Sequence, residues 1–339
     1  MKCRSNRNLR AAVVLLLAAT AMLSGCHRHL RAAEIAYVSA PQAVLRDQLS
    51  TLFNKTGTVK NGEQVQILER EKHFARVRTQ AGIEGWIEQR FLISKGVYDQ
   101  IQKLGQDNKS VEAQAPGVLR NETNLHLSPG RETEHLYQLA AGAKVSILKR
   151  ATAERTGVIV APSRAGSKAG AKPAGPVLED WLLVRNSDQQ AGWVLGRMVD
   201  VDAPLEVAQY AEGQRLVAFF VLDTVKDADK QVPQYLCVLT EPHDGLDYDF
   251  DQLRVFTWNV KKHRYETAYR EHGLTGVLPV TVTTETYDKE GALPTFVLRV
   301  KDDGGNVVER KYKLATPLVH RVYAPGEVPV HAAAKRRRK

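Results

Sequence analysis

Three clusters in this 339-residue chain carry residue types that could do chemistry. In "LSGCHRHL", Leu23 to Leu30, Cys26 could join His27 and His29 as a metal ligand, form half of a disulfide, or be a point of covalent attachment. In "QYLCVLTE", Cys237 precedes His243, His263 and His272, the residue types of a thiol nucleophile and its base. In "DGLDYDFDQ", Asp247, Asp249 and Asp251 alternate like the opening of a calcium loop. What surrounds each set weighs against metal and catalysis. The further ligands of a zinc site are absent around Cys26. A calcium loop needs glycine at its sixth position and a bidentate glutamate at its twelfth, where Gln252 and Trp258 stand. A solvated strand edge with Tyr248 and Phe250 facing inward fits that segment better. Cys237 sits inside a β-like apolar run with no cationic neighbour at a helix start, so it reads as a small buried side chain and not as a thiolate. No catalytic residue, metal or cofactor is expected.

The segment upstream of Cys26 decides how that residue is read. Lys2, Arg4, Arg7 and Arg10 come first, without an acidic residue, followed by "AAVVLLLAATAML", an uncharged and mostly apolar run from Ala11 to Leu23. Such a run fits the roughly 7 to 15 residues of a signal-peptide core and falls short of the roughly 20 of a membrane-spanning helix. Residues 1–25 therefore read as a targeting leader. With Ser24 and Gly25 between Leu23 and Cys26, the segment resembles the lipobox of bacterial lipoproteins. That resemblance implies diacylglycerol on Cys26, cleavage on its amino side, and a chain held to a membrane of the cell envelope by its N-terminal lipid. His27 stands where an aspartate would, by the enterobacterial sorting rule, favour the inner membrane. In a diderm cell the expected placement is the outer membrane, facing the periplasm. Each buried methylene contributes about 0.8 kcal/mol, which makes a multiply acylated cysteine a durable anchor.

The net charge of +10 invites a nucleic-acid reading until it is located. Four basic residues lie in the leader and five in the terminal "KRRRK", Lys335 to Lys339, which leaves the body near +1. No basic groove follows, and no nucleic-acid partner is expected. The tail, residues 326–339, reads as a disordered basic end, solvated or drawn to anionic polymer or head groups. With Cys3 in the leader and Cys26 acylated, Cys237 has no partner, so stability must come from apolar cores.

The elements that would position a binding site come from a duplicated unit. Gly62, Val65, Ile67, Leu68 and Arg70 recur at identical offsets as Gly142, Val145, Ile147, Leu148 and Arg150. Phe74 and Trp181 each open an aromatic-x-x-Val-Arg run, and Gly85-Trp86 and Gly192-Trp193 follow Arg78 and Arg185 at the same spacing. "QVQIL", "KVSIL" and "FARVRT" alternate with a period of two, as half-buried strands do, and "TQAGIEG" and "NSDQQAG" suit hairpin turns. The ensemble resembles the bacterial SH3 domain, in which an arginine and a small-residue turn precede Gly-x-x-Val-x-Val-Leu, Trp-x-x-Val-Arg and Gly-Trp-Val. Arg46 with Asp47, and Ser128 to Gly130, stand at the turn. The departures are Phe74 for tryptophan and no Ser-Gly-Pro turn in the first unit, and no arginine before the turn in the second.

The expected organisation is mainly β. A tether, residues 26–36, leads to a first SH3-like barrel at 37–95, a helical linker at 96–117, and a second barrel at 118–203 with a disordered insertion at 151–179. A β-rich domain at 204–325, of about seven strands, closes the fold as a sandwich, an open sheet or a propeller-blade-like meander. The resemblance implies binding of cell-wall peptide or protein partners in a shallow groove lined by Tyr37 or Tyr137. Trp86 and Trp193 are further candidates, although a ring after a strand-pairing glycine suits the filling of a small core. Bacterial SH3 domains often accompany NlpC-type cell-wall peptidases, but their cysteine opens a helix, unlike Cys237. The reading is a lipid-anchored, non-catalytic binding protein of the envelope. The alternative is a structural subunit of an envelope complex, docked through the C-terminal β domain.

Overall fold

The computed structural model describes residues 34–156, 176–324 and 326. The leader, Cys26, most of the tether, the middle of the predicted insertion and the basic tail lie outside them. The chain is mainly β, with three antiparallel sheets of seven strands each. Among the described residues no helix is long and apolar enough to cross a membrane.

The first sheet comprises β1 (Glu34–Val38), β2 (Gln42–Arg46), β3 (Lys55–Lys60), β4 (Gln64–Glu71), β5 (Phe74–Thr79), β6 (Glu84–Glu88) and β7 (Leu92–Ser94), in the order β3-β2-β6-β5-β4-β1-β7. The period-two alternation sends Val38, Leu45, Val59, Ile67, Val77 and Ile87, one from each of the first six strands, into a single core. A sheet whose strands all reach one core must wrap round on itself, as a small barrel does. The second sheet comprises β8 (Ala115–Leu119), β9 (Thr123–His126), β10 (His135–Leu139), β11 (Lys144–Glu154), β12 (Leu178–Arg185), β13 (Ala191–Leu195) and β14 (Val199–Val201). Its order, β10-β9-β13-β12-β11-β8-β14, is the first with every label advanced by seven, so the repeated sequence is a repeated topology. Pairing of β11 with β12 runs on to Glu154 opposite Leu178, which lengthens this hairpin into the expected insertion.

The linker is a packed element. Helix α1 (Lys95–Asp107) starts at Ser94, whose hydroxyl accepts from the Val97 N–H at 3.3 Å. Ile101 is buried with Ile93 of the first barrel and Leu136 of the second, so the helix is wedged between them. The Asn61 side chain donates to the carbonyls of Ser39 and Leu136, one on each barrel. At the helix end Arg185 donates to the carbonyls of Asn108, Lys109 and Val111 at 2.5, 2.8 and 3.0 Å. The three carbonyls belong to the C-cap residue and the turn beyond it, so one side chain of the second barrel ties down the exit of the helix.

The third sheet is a meander in which chain order is spatial order: β15 (Arg215–Asp227), β16 (Lys230–Thr240), β17 (Phe250–Asn259), β18 (Arg264–Tyr287), β19 (Gly291–Lys301), β20 (Val307–Ala315) and β21 (Leu318–Val322). Of the three forms open to a seven-stranded module, the meander is the one found. One face gathers Leu236, Val238, Phe250, Val255, Phe296 and Tyr312 into the largest core. The other face of β16 puts Tyr235, Cys237 and Leu239 under a short helix, α2 (Leu205–Ala208), which explains why "QYLCVLT" is apolar without alternation. "RYETAYRE" and "LPVTVTTETY", which read as two strands, are one strand, β18. Its first half pairs with β17 and its second with β19, the change falling at Gly276, which faces both Phe250 and Val300.

The third module is joined to the second barrel by buried polar contacts. Arg150, 8% exposed, donates to Asp180 at 2.6 Å within the barrel. Across the junction it donates to Asp249 at 3.1 Å and to the carbonyls of Leu246 and Tyr248. Asp180, 3% exposed, also accepts from Arg215 at 2.9 Å and from the Gly245 N–H at 2.9 Å. Burial works against the charge of Arg150, and its hydrogen bonds with Asp180 and Asp249 outweigh it, holding the pKa above its ordinary value. Gln114, fully buried, accepts from the Val280 N–H at 2.7 Å.

Candidate binding surface

Two of the residues expected to line a groove, Tyr37 and Tyr137, lie where the linker helix packs on the barrels. Tyr37 is on β1 and stacks on Tyr98 of α1 with ring centroids 3.7 Å apart. Tyr137 is on β10 and accepts from Gln102 of α1 at 2.6 Å. Both rings belong to the seam between the barrels.

Trp86 and Trp193 are half-buried and lie on the outside of their barrels, because strand alternation and the preceding glycine put them there. A Cβ on Gly85 would come within 2.7 Å of Leu45 Cβ, and one on Gly192 within 2.5 Å of Leu125 Cβ. The glycine faces inward where the neighbouring strand crosses closely, and its successor points to the opposite side. The Gly-Trp pair is therefore a close strand crossing with an outward ring, and the core-filling reading of these tryptophans does not hold.

On barrel 1 this outward ring is the centre of a row. Arg46 of β2 and Arg76 of β5 stand directly opposite Trp86 in the two ladders of β6, so an arginine flanks the indole on each side. Beside it, Phe74 stands opposite Glu88. The Arg46 guanidinium lies 4.4 Å from the ring centre of Phe53 and 5.2 Å from that of Phe74, and reaches Glu88 at 3.3 Å. Phe53, on the loop between β2 and β3, is 39% exposed. Glu84 receives Arg76 at 2.9 Å and Arg78 at 2.6 Å, and the hydrogen bond from Arg78, against burial, holds its carboxyl below the usual range. Guanidinium groups stacked on aromatic faces keep N–H donors free at their edges. The row can hold a carboxylate on Arg46 or Arg76 while Trp86 and Phe53 cover alkyl or amide groups. Of these residues Arg46 is legible from its place before the turn, and Arg76 as the outward alternate of Arg78. Phe53 has only the signal of an apolar pair, Leu52-Phe53, in a polar loop.

Barrel 2 lacks this row. His126 and Leu183 occupy the positions of Arg46 and Arg76 beside Trp193. Trp181, the counterpart of Phe74, is 2% exposed, with the His126 ring against it at 5.2 Å. The His126 imidazole contacts the Thr133 carbonyl at 3.1 Å, and burial first, then His135, lowers its pKa. The fold thus prefers neutral His126. As pH falls below about 6.5 the unfolded chain takes up this proton before the folded one, and stability declines until the lowered folded pKa is passed. The urea midpoint of the wild type is expected to fall between about pH 7.5 and 5, with a shallower fall for His126→Gln; equal slopes would remove His126 from the account.

The other chemistry-bearing residues are held apart. Cys237 is buried on β16 and burial pushes its thiol up to about 12. His243 pairs with Glu241 at 3.0 Å, His263 with Asp227 at 2.7 Å, and His272 stands opposite Gln252 in the β17–β18 ladder. Asp249 is engaged by Arg150 and by the Leu278 N–H at 2.8 Å.

Comparison with known proteins matches residues 43–93, from within β2 to β7, to the bacterial SH3 domain. Among solved structures, an NlpC/P60 family protein from Bacillus cereus ATCC 10987 aligns over 86% of this chain and 100% of its own, at 9% identity and a TM-score of 0.23. NlpC2 from Trichomonas vaginalis aligns over 86% and 96%, at 12% identity and a TM-score of 0.17. No curated protein matches the chain.

Proposed function

We propose that this chain is a lipid-anchored, non-catalytic protein of the cell envelope that binds cell-wall peptide, or an envelope protein, through its first barrel. The second barrel is, in this reading, a diverged SH3 copy that joins the first to the C-terminal module. The observation that carries the proposal is the Arg46–Trp86–Arg76 row with Phe53 and Phe74, inside the segment that matches a bacterial SH3 domain. Aromatic and arginine side chains are the types that dominate binding energy at interfaces. The buried, proton-holding Cys237 thiol supports a binding role over a peptidase role.

Retention of the full chain on isolated cell-wall sacculi tests the reading. Trp86→Ala and Phe53→Ala are expected to weaken retention about tenfold or more each, since a central aromatic anchor contributes about 2 kcal/mol. Trp193→Ala, with His126 and Leu183 opposite it in the ladders, leaves it near the wild type. Because Phe53 is exposed, its variant keeps the fold, and wild-type retention by Phe53→Ala and Trp86→Ala together sinks the proposal. No retention of the wild type on sacculi points instead to a protein partner, docked through the third module. The anchor is checked by the mass of the native chain, which an unmodified Cys26 thiol would contradict.

A further inference from the structure

Between the second barrel and the C-terminal sheet lies a cleft of about 370 Å³. Its size and its place at a seam between modules are those of small-ligand sites. Two polar atoms single it out. Oγ1 of Thr240, a residue 4% exposed at the end of β16, has no hydrogen-bond partner among the described residues, and neither has Oε1 of Gln214; both residues line this cleft. Buried polar atoms are rarely left unpaired, because their desolvation is then uncompensated. Two in one cleft are the complement of a ligand that brings a donor to the carboxamide oxygen and an acceptor to the hydroxyl.

The remaining lining narrows the class. Leu182, Leu216 and Leu278 give it apolar wall. Four arginines, at positions 120, 150, 197 and 215, face two aspartates, at 180 and 200, so the lining carries excess positive charge. Arg150 and Arg215 are fixed in the junction network, and Arg120 holds Asp200 with two hydrogen bonds. Arg197 reaches Glu179 only at 3.7 Å and is 54% exposed, which leaves its fork open to a second anion.

We propose that this cleft binds a short peptide of small side chains that ends in a free carboxylate. A backbone N–H donates to Gln214, a backbone carbonyl accepts from the Thr240 hydroxyl, methyl-sized side chains pack on the leucines, and the carboxylate meets Arg197. The site is separate from the aromatic row of the first barrel and does not depend on it.

Isothermal titration of the full chain in detergent with acetyl-Ala-Ala-Ala, and with the same tripeptide as its C-terminal amide, is the test. The acid is expected to bind, and the amide about tenfold more weakly for want of the charged hydrogen bond. Arg197→Gln abolishes that preference. Thr240→Val weakens the acid several-fold without lowering the melting temperature, since a methyl replaces an unpartnered buried hydroxyl. The titrations are repeated in the Trp86→Ala background, which removes any share of the same peptide held at the row of the first barrel and leaves that of the cleft. No binding of the acid up to about 5 mM, equal affinity for acid and amide, or wild-type titrations from Thr240→Val and Arg197→Gln would each overturn the proposal.

Discussion

Arg150→Ala lowers the stability of the second barrel and C-terminal module by about 3 kcal/mol, the low end of the 3–5 kcal/mol that follows when one partner of a buried ion pair is removed. The magnitude comes from what is left behind. Asp180 keeps Arg215 and the Gly245 N–H, so it is only partly stranded. Asp249 keeps the Leu278 N–H alone, and the carbonyls of Leu246 and Tyr248 lose their donor. Arg150→Lys restores one charge but cannot span four acceptors with a single ammonium, so its loss is intermediate. Arg70 occupies the same place in the first repeat, pairs with Glu34 at 2.5 Å and is 45% exposed, and Arg70→Ala is expected to unfold with the wild type. Urea unfolding followed by tryptophan fluorescence separates the three. An Arg150→Ala midpoint equal to that of Arg70→Ala would show that the network does not hold the junction.

Gly276→Ala is the second large effect. A Cβ there would stand 2.1 Å from Phe250 Cε2 and 2.3 Å from its Cδ2 and Cζ, so the ring lies across the glycine where the pairing of β18 changes from β17 to β19. Phe250 is fully buried and cannot swing out. Overpacking a closed core costs about 1–3 kcal/mol and occasionally more, and this contact belongs at the upper end. At about 2–4 °C per kcal/mol for the second barrel and third module unfolding together, the melting temperature falls by about 6–12 °C. Phe250→Leu opens space on its own at some cost, and the double variant is expected to be more stable than the sum of the two losses predicts, by about 1 kcal/mol. Simple additivity would mean that the backbone yields and the ring does not oppose the methyl.

Much of the architecture is legible in the residues because period-two alternation and turn chemistry are local. "QVQIL" and "KVSIL" predict β4 and β11, and the matched offsets predict one topology used twice. The duplicated Gly-Trp pair is misleading for a physical reason. Its glycine signals a strand crossing whose partner, Leu45 or Leu125, is far away in sequence, so the side on which the ring falls cannot be read locally. Tyr37 and Tyr137 are hard to place for a similar reason, since nothing near them announces that α1 packs between the barrels. The row around Trp86 joins β2, β5, β6 and a loop, and only the ladder register brings Arg46 and Arg76 to the same indole. The cleft at Thr240 lies further still from local signals, because a hydroxyl at a strand end becomes noteworthy only when the finished fold denies it a partner.

Two arginines kept at matched positions of the repeat do different work in its two copies. Arg70 and Arg78 look outward to water on the first barrel, whereas Arg150 and Arg185 grip the third module and the linker helix. A chain cut after β14 would leave Asp180 and Arg150 facing solvent without Arg215, Gly245 or Asp249, while a cut through α1 would strip the cover from Leu136. Dissection by repeat boundaries therefore divides what folding unites: the unit that was copied and the unit that stands alone are different stretches of this polypeptide.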